Sequence, residues 1–154
     1  MRLGSLTRPE LIFPDLPATD RAGLLHALAE RVAGRRAVAN AVDLYQKLLE
    51  REQLGSTGIG AGIAIPHCKL PGLKSGLAAI GMVPQGVDFG AVDGQPVKVF
   101  FLVVSPSESP AEHLQALAAI SRWVKADGNV GRILAAPDRQ AIYRLLGEPD
   151  EAER

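Results

Sequence analysis

The stretch LGSTGIGAGIAIPHCK, residues 54–69, places four glycines ahead of a Pro-His pair. Ordering a glycine costs more backbone entropy than ordering any other residue, so such a cluster indicates that the backbone approaches another group closely. A phosphate, a dinucleotide and a neighbouring strand are the candidates for that group. Because Pro66 fixes its own φ and favours an extended Ile65, we expect His67 to lie at a stiff strand end.

The composition predicts one domain and excludes several classes of function. The chain has 154 residues, 47% of them hydrophobic, which is enough for one core. The 17 basic and 17 acidic residues leave no net charge and aromatic residues make up 5%, which argues against a nucleic-acid binder. Cys68 is the single cysteine, so we expect no disulfide and a reducing compartment. Since the chain shows no signal-peptide pattern and no apolar run longer than Val99–Val104, we predict a cytoplasmic protein that does not insert into a membrane.

Two amphipathic helices are predicted before the glycine stretch. Residues 1–18 are rich in proline and are interpreted as an irregular lead-in with room for a short strand. The first helix spans residues 19–34, with Thr19 or Asp20 as its N-cap, and the second begins near Asn40. The side chains predicted to face the core are Leu24, Leu25, Leu28 and Val32 in the first helix and Val42, Tyr45, Leu48 and Leu49 in the second.

Strands come after the glycine stretch, and the chain then returns to helices. The segments IAIPH, LAAIGMV and VKVFFLVV are predicted strands, with a turn at DGQPV. Ser109, Pro110 and Glu112 form a capping-box pattern that predicts the start of a helix. One face of that helix is predicted to carry Leu114, Leu117, Ala118, Ser121 and Val124, and a last helix is predicted at DRQAIYRLLG.

The order of these elements predicts an α/β fold in which a mixed central β-sheet is sandwiched between helices in a single domain. We place that domain at residues 19–147 and a solvated tail at residues 148–154. No repeat and no internal linker interrupts the predicted domain.

The familiar phosphate-binding loops do not fit the glycine stretch. A P-loop requires Gly-x-x-x-x-Gly-Lys-Ser/Thr, and no glycine of the chain is followed directly by Lys-Ser/Thr. A dinucleotide fingerprint requires Gly-x-Gly-x-x-Gly leading into a helix, whereas Gly58, Gly60 and Gly62 lead toward a strand. The spacing therefore excludes both loops.

His67 is the residue of this stretch that can carry chemistry. Neutral imidazole is a nucleophile near pH 7, since its ordinary pKa is about 6.5. A phosphorylated imidazole needs hydrogen-bond donors around its negative charge. Arg51, in the last turn of the second helix, could supply two N–H groups, and His113, in the first turn of the capped helix, could supply one. Further candidate donors are Ser56, Thr57 and the amide of Gly58.

Each of these residues also has an ordinary structural interpretation. An isolated histidine such as His67 commonly makes a plain structural hydrogen bond, and His113 could simply cap or pack its helix. Arg51 could pair with Glu50 or Glu112 on the surface. Spacing alone leaves these alternatives open.

Two further residues are predicted to carry no chemistry. Cys68 adjoins His67, but neighbours along a strand point to opposite faces, so we expect a packed thiol and no Cys-His pair. His26 lies on a helix far from any motif and is expected to be structural or solvent-facing. A hydrolase that uses His67 as a base is disfavoured, because no acidic residue stands at a motif position to orient its ring.

The segment REQLGSTGIGAGIAIPH, residues 51–67, closely resembles the signature of the enzyme IIA domains of the phosphoenolpyruvate-dependent sugar phosphotransferase system, fructose/mannitol class. The segments DGQPV and EHLQALAAIS resemble the second and third landmarks of that family. The resemblance extends over nearly the whole predicted domain, from residue 19 to residue 146.

This resemblance implies a phosphocarrier. A histidine phosphocarrier protein of the HPr type would phosphorylate His67, and Arg51 and His113 would help to hold the phosphoryl group. No metal and no nucleotide cofactor is implied. A transiently docking partner suggests an apolar patch around the histidine. The candidates for its lining are Ile59, Ile63 and Leu70.

The stretch GSTGIGAGIAIPHCKLPGL is most similar to the nitrogen-regulatory branch of that family, in which a free-standing relative acts as a switch on regulatory target proteins. Cys68 stands where that branch often has a glycine, and the lead-in is short. Two alternatives stay open. One is a sugar-transport enzyme IIA that passes the phosphoryl group to a cysteine of an enzyme IIB domain. The other is a regulatory binding module that is switched by phosphorylation of His67.

Overall fold

The computed structural model of the chain describes residues 3–147 and contains six strands and five α-helices in that range. The strands are β1 (Ile12–Phe13), β2 (Gly58–Gly60), β3 (Ile63–Ala64), β4 (His67–Leu70), β5 (Leu77–Val87) and β6 (Val97–Pro106). The helices are α1 (Arg21–Gly34), α2 (Ala41–Gln53), α3 (Pro110–Lys125), α4 (Asn129–Ala135) and α5 (Arg139–Gly147).

The six strands form one mixed sheet. Its order is β1-β5-β6-β3-β2, and β4 also pairs with β6. β5 and β6 are antiparallel, whereas β1 runs parallel to β5 and both β3 and β4 run parallel to β6. The apolar β6 therefore lies in the middle of the sheet, as expected for a strand that is covered on both faces.

Helices cover both faces of the sheet, and each face has its own hydrophobic core. Alternate residues of β6 contribute to the two cores, in keeping with the period of two of a strand. Phe100 and Leu102 pack in the core that includes α1 and α2, and Phe101 and Val103 pack in the core that includes α3, α4 and α5. The prediction of an α/β fold with a mixed sheet between helices is confirmed.

The segment before α1 contributes to the sheet and to both cores, although the sequence predicts an irregular lead-in over residues 1–18. β1 aligns Ile12 with Ile80 of β5. Ile12 is fully buried on the α3–α5 side, and Leu16 is buried on the α1–α2 side. The folded unit thus begins before residue 19, because this short apolar segment supplies an edge strand. The predicted tail at residues 148–154 lies outside the described residues.

The first two helices begin where the sequence predicts. Asp20 caps α1 by accepting a hydrogen bond from the backbone N–H of Gly23, and Asn40 caps α2 by accepting from two amides of its first turn. α3 begins at Pro110, as predicted, but the Ser109 hydroxyl makes no capping bond.

Glu112, the other half of the predicted capping box, bonds outside its own helix. Its Oε1 accepts from the backbone N–H of Gly76 at 3.0 Å, which ties the start of α3 to the connection between β4 and β5. The capping-box motif therefore marks the helix start correctly, but the Glu112 carboxylate bonds to a neighbouring segment and not to an amide of its own helix.

The buried faces of two helices differ from the prediction. In α2 the prediction is right for Leu48 and wrong for Val42, whose side chain is 60% exposed. The buried line of α2 runs through Leu44, Leu48 and Glu52, spaced by four residues. Tyr45 and Leu49 are half-buried against the same core.

In α3 the buried face is displaced by about one position from the predicted one. Leu114 is 67% exposed, and Ala118 is also exposed. The buried residues are His113, Ala116, Ala119, Ile120 and Trp123. The apolar pattern misleads here because a histidine and small alanines, in place of the larger apolar side chains, face the sheet.

The last two helices complete one layer. α5 confirms the predicted final helix, whereas α4 is not predicted as a separate element and buries Ile133. Within residues 3–147, no helix combines the length and the apolarity that crossing a bilayer would require.

We predict that Ile12→Ala lowers the free energy of unfolding by about 2–5 kcal/mol, the range for emptying a fully buried aliphatic site. Val42→Ala serves as the control and should change stability by no more than about 0.5 kcal/mol, because its side chain is exposed. Urea denaturation monitored by circular dichroism measures both values. An effect of Ile12→Ala as small as that of the control would contradict the assignment of this segment to the folded unit.

Candidate functional site

His67 is the first residue of β4 and lies just beyond the point where the outermost strand, β2, stops pairing. β3 and β4 both pair with β6, in line with each other and separated by Ile65 and Pro66. β2 pairs with β3, and the last bond of this edge joins the backbone N–H of Ile65 to the carbonyl of Thr57. Pro66 has no N–H to offer at an edge, so the outer pairing ends there. His67 is therefore held by β6 on one side and has an open edge on the other.

The hydrogen bonds of His67 determine which ring nitrogen is free to react. Nδ1 lies 2.6 Å from the carbonyl oxygen of Ile65. A carbonyl only accepts, so Nδ1 carries the proton and donates it. Nε2 then keeps its lone pair, and it accepts from Nε of Arg51 at 3.2 Å. Nε2 of the neutral ring is thus the nucleophilic atom, with a guanidinium beside it.

Arg51 is fixed from both ends of its guanidinium. Nε contacts His67, and Nη1 donates to the carbonyl of Gly55 at 2.8 Å. Gly55 lies just beyond the end of α2, so the bond folds the side chain back along its own helix terminus. The arginine is held with its charge beside Nε2 of His67. This contact joins two residues that the sequence analysis assigned to the same site.

His113 reaches the same place from the opposite layer. It belongs to the first turn of α3 and is 7% exposed. Its ring centroid lies 5.5 Å from that of His67, with 53° between the planes. Its Nδ1 lies 2.7 Å from Oγ of Ser105 on β6. The structure thus brings together Arg51, His67 and His113, which sequence reasoning selected from three separate segments.

Both site histidines favour the neutral form. Burial lowers the pKa of His67, and the charge of Arg51 lowers it further, while the bond to the Ile65 carbonyl opposes the change. Burial also lowers the pKa of His113, with contributions from His67 and from the charge of Lys69. Sequence reasoning missed Lys69. The signal was present, because residues two apart on a strand share a face and Lys69 is two positions beyond His67.

Glu52 holds the loop that leads into β2. Its carboxylate is 3% exposed and accepts from the backbone N–H of Thr57 at 3.1 Å, and the Thr57 hydroxyl bonds to its other oxygen. Burial raises the pKa of Glu52, and the two bonds from Thr57 oppose that rise. A buried carboxylate is costly unless it is hydrogen-bonded, so this pair fixes the loop to the residue next to Arg51. Sequence reasoning missed Glu52, although an acidic residue four positions after the buried Leu48 was a visible signal.

The three residues predicted as additional phosphate donors already have hydrogen-bond partners within the protein. Oγ of Ser56 donates to the carbonyl of Phe89 at 2.8 Å and accepts from the backbone N–H of Gly58 at 3.0 Å. The Thr57 hydroxyl is directed to Glu52. Their role at a phosphoryl group stays a prediction, while the bonds present give all three a structural part in the loop.

The close approach indicated by the glycines is to another segment of the chain. A Cβ added to Gly58 would lie 2.9 Å from Cα of Ala91, so no larger residue fits there without a backbone shift. Residues 60–62, which turn from β2 to β3, all have positive φ. Asp93 in DGQPV accepts from the backbone N–H of Ala61 at 3.0 Å and so stabilises this turn. The glycine stretch and DGQPV are therefore parts of one structural unit.

The predicted partner surface needs correction. Ile59 is 41% exposed, as a contact residue should be, but Ile63 is 2% exposed and lies in the α3–α5 core. Leu70 is 9% exposed and packs in the α1–α2 core. Both residues lie on sheet strands covered by helices, so neither can line a surface patch. The exposed apolar side chains nearest in sequence to the site residues are Leu54, three positions after Arg51, and Leu114, directly after His113.

Cys68 and His26 behave as predicted. Cys68 packs in the α1–α2 core, and burial raises the pKa of its thiol to about 12, so it is no nucleophile at neutral pH. His26 is exposed and lies 3.5 Å from a carboxylate oxygen of Glu30 on its own helix. In the range 3–147, no three His, Cys, Asp or Glu side chains are grouped so that they could hold a metal ion.

Comparisons with known proteins agree over nearly the whole chain. The family model described as "Phosphoenolpyruvate-dependent sugar phosphotransferase system, EIIA 2" matches residues 5–148. A nitrogen regulatory protein from Bradyrhizobium diazoefficiens is 37% identical over 149 residues, which cover 97% of each chain. A fructose-specific EIIA component of a phosphotransferase system from Haloferax volcanii is 30% identical over 146 residues, which cover 95% of each chain. The crystal structure of the nitrogen regulatory protein IIA-Ntr from Neisseria meningitidis is similar with a TM-score of 0.86 and 26% identity, covering 93% of this chain and 97% of that one.

We predict that His67 and His113 both titrate below the ordinary histidine pKa of about 6.5 in NMR titrations of their ring protons. Because His67 lowers the pKa of His113, His67→Ala should raise that value. His26→Ala is the control and should leave both values unchanged. In the window between each folded pKa and about 6.5 the unfolded chain binds more protons, so stability should fall as the pH falls through this window. A pKa of 6.5 or higher for either site histidine would contradict the assignment of two neutral rings.

Proposed function

Because the chain belongs to the EIIA 2 family of the phosphoenolpyruvate-dependent sugar phosphotransferase system, we propose that it is a phosphocarrier that accepts a phosphoryl group on His67. The donor in this proposal is an HPr-type histidine phosphocarrier protein, and the branch served is the nitrogen-regulatory one. The similarity to nitrogen regulatory proteins over nearly the full length of both chains supports that branch. The reducing compartment expected from the single cysteine is in keeping with a cytoplasmic location.

One observation carries this proposal: Nε2 of His67 is free of its proton and lies beside a fixed guanidinium. A phosphoryl acceptor must be an unprotonated nucleophile, and the lowered pKa keeps the ring neutral at physiological pH. The guanidinium of Arg51 then matches the oxygens of the incoming group in charge and in geometry.

The positions of the protons define the transfer step. Nε2 of His67 attacks phosphorus in line, the phosphorus–nitrogen bond to the donor histidine breaks, and its electron pair returns to the donor ring. Nδ1 of His67 keeps its proton, and its bond to the Ile65 carbonyl stabilises the positive charge that the ring acquires. Arg51 moves its bond from Nε2 to a phosphoryl oxygen, and His113 supplies a further N–H. The protein contributes position and charge, as is usual for phosphoryl transfer.

The open edge beside His67 gives the donor its access. We place the contact surface on the exposed apolar side chains Leu54, Ile59 and Leu114, in place of the buried Ile63 and Leu70. A donor group that needs to reach Nε2 would come in over this surface, and modest apolar patches of this kind suit transient partners.

Two alternatives use the same phosphorylated histidine and differ in the fate of its phosphoryl group. The similarity to a fructose-specific EIIA component favours onward transfer to a cysteine of an enzyme IIB domain. A regulatory module would instead bind a target protein in one state of His67 only, since a phosphoryl group adds charge next to an apolar surface. Incubating the phosphorylated protein with a fructose-type enzyme IIB domain separates these cases, because only a transport component would lose its phosphoryl group rapidly.

We predict that incubation with phosphoenolpyruvate, enzyme I and an HPr-type carrier adds one acid-labile phosphoryl group, seen by intact-mass spectrometry. His67→Ala should abolish the addition, and Arg51→Gln should slow it by about 10²-fold, the loss typical of removing one charge-stabilising donor. His26→Ala is the matched control and should behave as the wild type, because this histidine is exposed and its contacts are with Glu30 and Tyr45, neither of which belongs to the proposed site. Phosphorylation that persists in His67→Ala would refute the proposal.

A further inference from the structure

Ser105 is a buried polar residue that the proposed reaction does not use. It lies near the end of β6, opposite Lys69 of β4 in the register and two residues after Val103, which is opposite His67. Partners in register share a face of the sheet, so Ser105 lies on the same face as His67, below α3. Its side chain is 1% exposed. A hydroxyl removed from water in this way needs a partner for its proton.

The hydrogen bond to His113 can therefore be assigned a direction. Among the described residues, the structure gives Oγ of Ser105 one partner, Nδ1 of His113 at 2.7 Å. If Nδ1 carried the proton and donated it, the Ser105 hydroxyl proton would be left buried without an acceptor, which is unfavourable because the group has lost its water and gained no partner for that proton. If the hydroxyl donates to Nδ1, both groups are satisfied. Nδ1 of His113 is then the acceptor, and the proton of the neutral ring lies on Nε2.

We propose that Ser105 is a positioning residue for phosphoryl transfer: by donating to Nδ1 it holds His113 in the tautomer that presents Nε2–H to a phosphoryl group on His67. This inference rests on the proposed function. The other neutral tautomer would turn a lone pair toward phosphoryl oxygens and repel them. Ser105 thereby decides whether His113 attracts or repels the group that His67 carries.

The two site histidines are held by opposite hydrogen bonds. The Ile65 carbonyl accepts from Nδ1 of His67 and leaves a lone pair on Nε2. The Ser105 hydroxyl donates to Nδ1 of His113 and leaves a proton on Nε2. The ring centroids are 5.5 Å apart, so one neutral imidazole provides the nucleophile and the other provides a donor for the group that the first receives. Burial keeps both rings neutral, which makes the tautomer matter.

Three substitutions distinguish the effect of the Ser105 hydroxyl from the effect of side-chain volume. Ser105→Thr keeps the hydroxyl, Ser105→Val matches the size of that threonine without a hydroxyl, and Ser105→Ala removes the hydroxyl without adding volume. Ring ¹⁵N chemical shifts of the unphosphorylated proteins report the tautomer of His113 directly. The rate of phosphorylation by the HPr-type carrier reports the functional effect.

We expect the wild type and Ser105→Thr to show the Nε2–H tautomer of His113 and to be phosphorylated at similar rates. Ser105→Val and Ser105→Ala should lose that tautomer and be phosphorylated about tenfold more slowly, the effect of one hydrogen bond. The inference is overturned if the wild type holds the Nδ1–H tautomer, if Val and Ala leave the tautomer unchanged, or if a changed tautomer leaves the rate unchanged. It is also overturned if Ser105→Thr loses the Nε2–H tautomer and is phosphorylated as slowly as Ser105→Val. A wild-type protein that accepts no phosphoryl group would instead overturn the proposed function, and this inference with it, irrespective of the tautomer.

Discussion

The site depends on the hydrogen bond from Nδ1 of His67 to the carbonyl of Ile65. It fixes the tautomer and the orientation of the ring at once, so that the lone pair of Nε2 is directed to Arg51. The carbonyl is available because Ile65 and Pro66 separate β3 from β4, at the point where the sheet's outer pairing ends. The interruption in the strand is therefore the feature that leaves Nε2 of His67 unprotonated.

The site forms where the two helical layers meet at one edge of the sheet. α2, in the layer that contains Leu44 and Leu48, ends with Arg51 and Glu52. α3, in the opposite layer, begins near His113. Glu52 holds the loop into β2 through Thr57, and the central strand β6 supports His113 through Ser105. The residues of the candidate site thus lie on helices and strands, and parts of the site that are distant in sequence are tied to the same sheet.

The sequence predicts the fold well and selects three residues that the structure places side by side, because strong local signals mark both. Asp20, Asn40 and Pro110 start helices at the expected places, and the Gly-rich stretch before Pro66 and His67 is specific enough to suggest the family. Burial of individual side chains is less predictable. Val42 and Leu114 are apolar yet exposed, and Ile63 lies in a core, because helix rotation and sheet coverage are settled by packing between distant segments.

Polar contacts between distant segments could not be predicted either. Nothing in the spacing indicates that Glu112 bonds to Gly76 or that Ser56 bonds to the Phe89 carbonyl. Each joins segments whose proximity arises only from the strand order β5-β6-β3 and the placement of the helices over it. Short polar side chains such as these are suited to many partners, so residue type alone carries no information on which partner is chosen.

The sharpest test of the proposed chemistry is heteronuclear NMR of the phosphorylated protein with ¹⁵N-labelled histidine, which identifies the nitrogen bonded to phosphorus. We predict phosphorus on Nε2 of His67 with the proton retained on Nδ1, because the Ile65 carbonyl occupies Nδ1. Phosphorus on Nδ1 of His67, or on either nitrogen of His113, would contradict this mechanism.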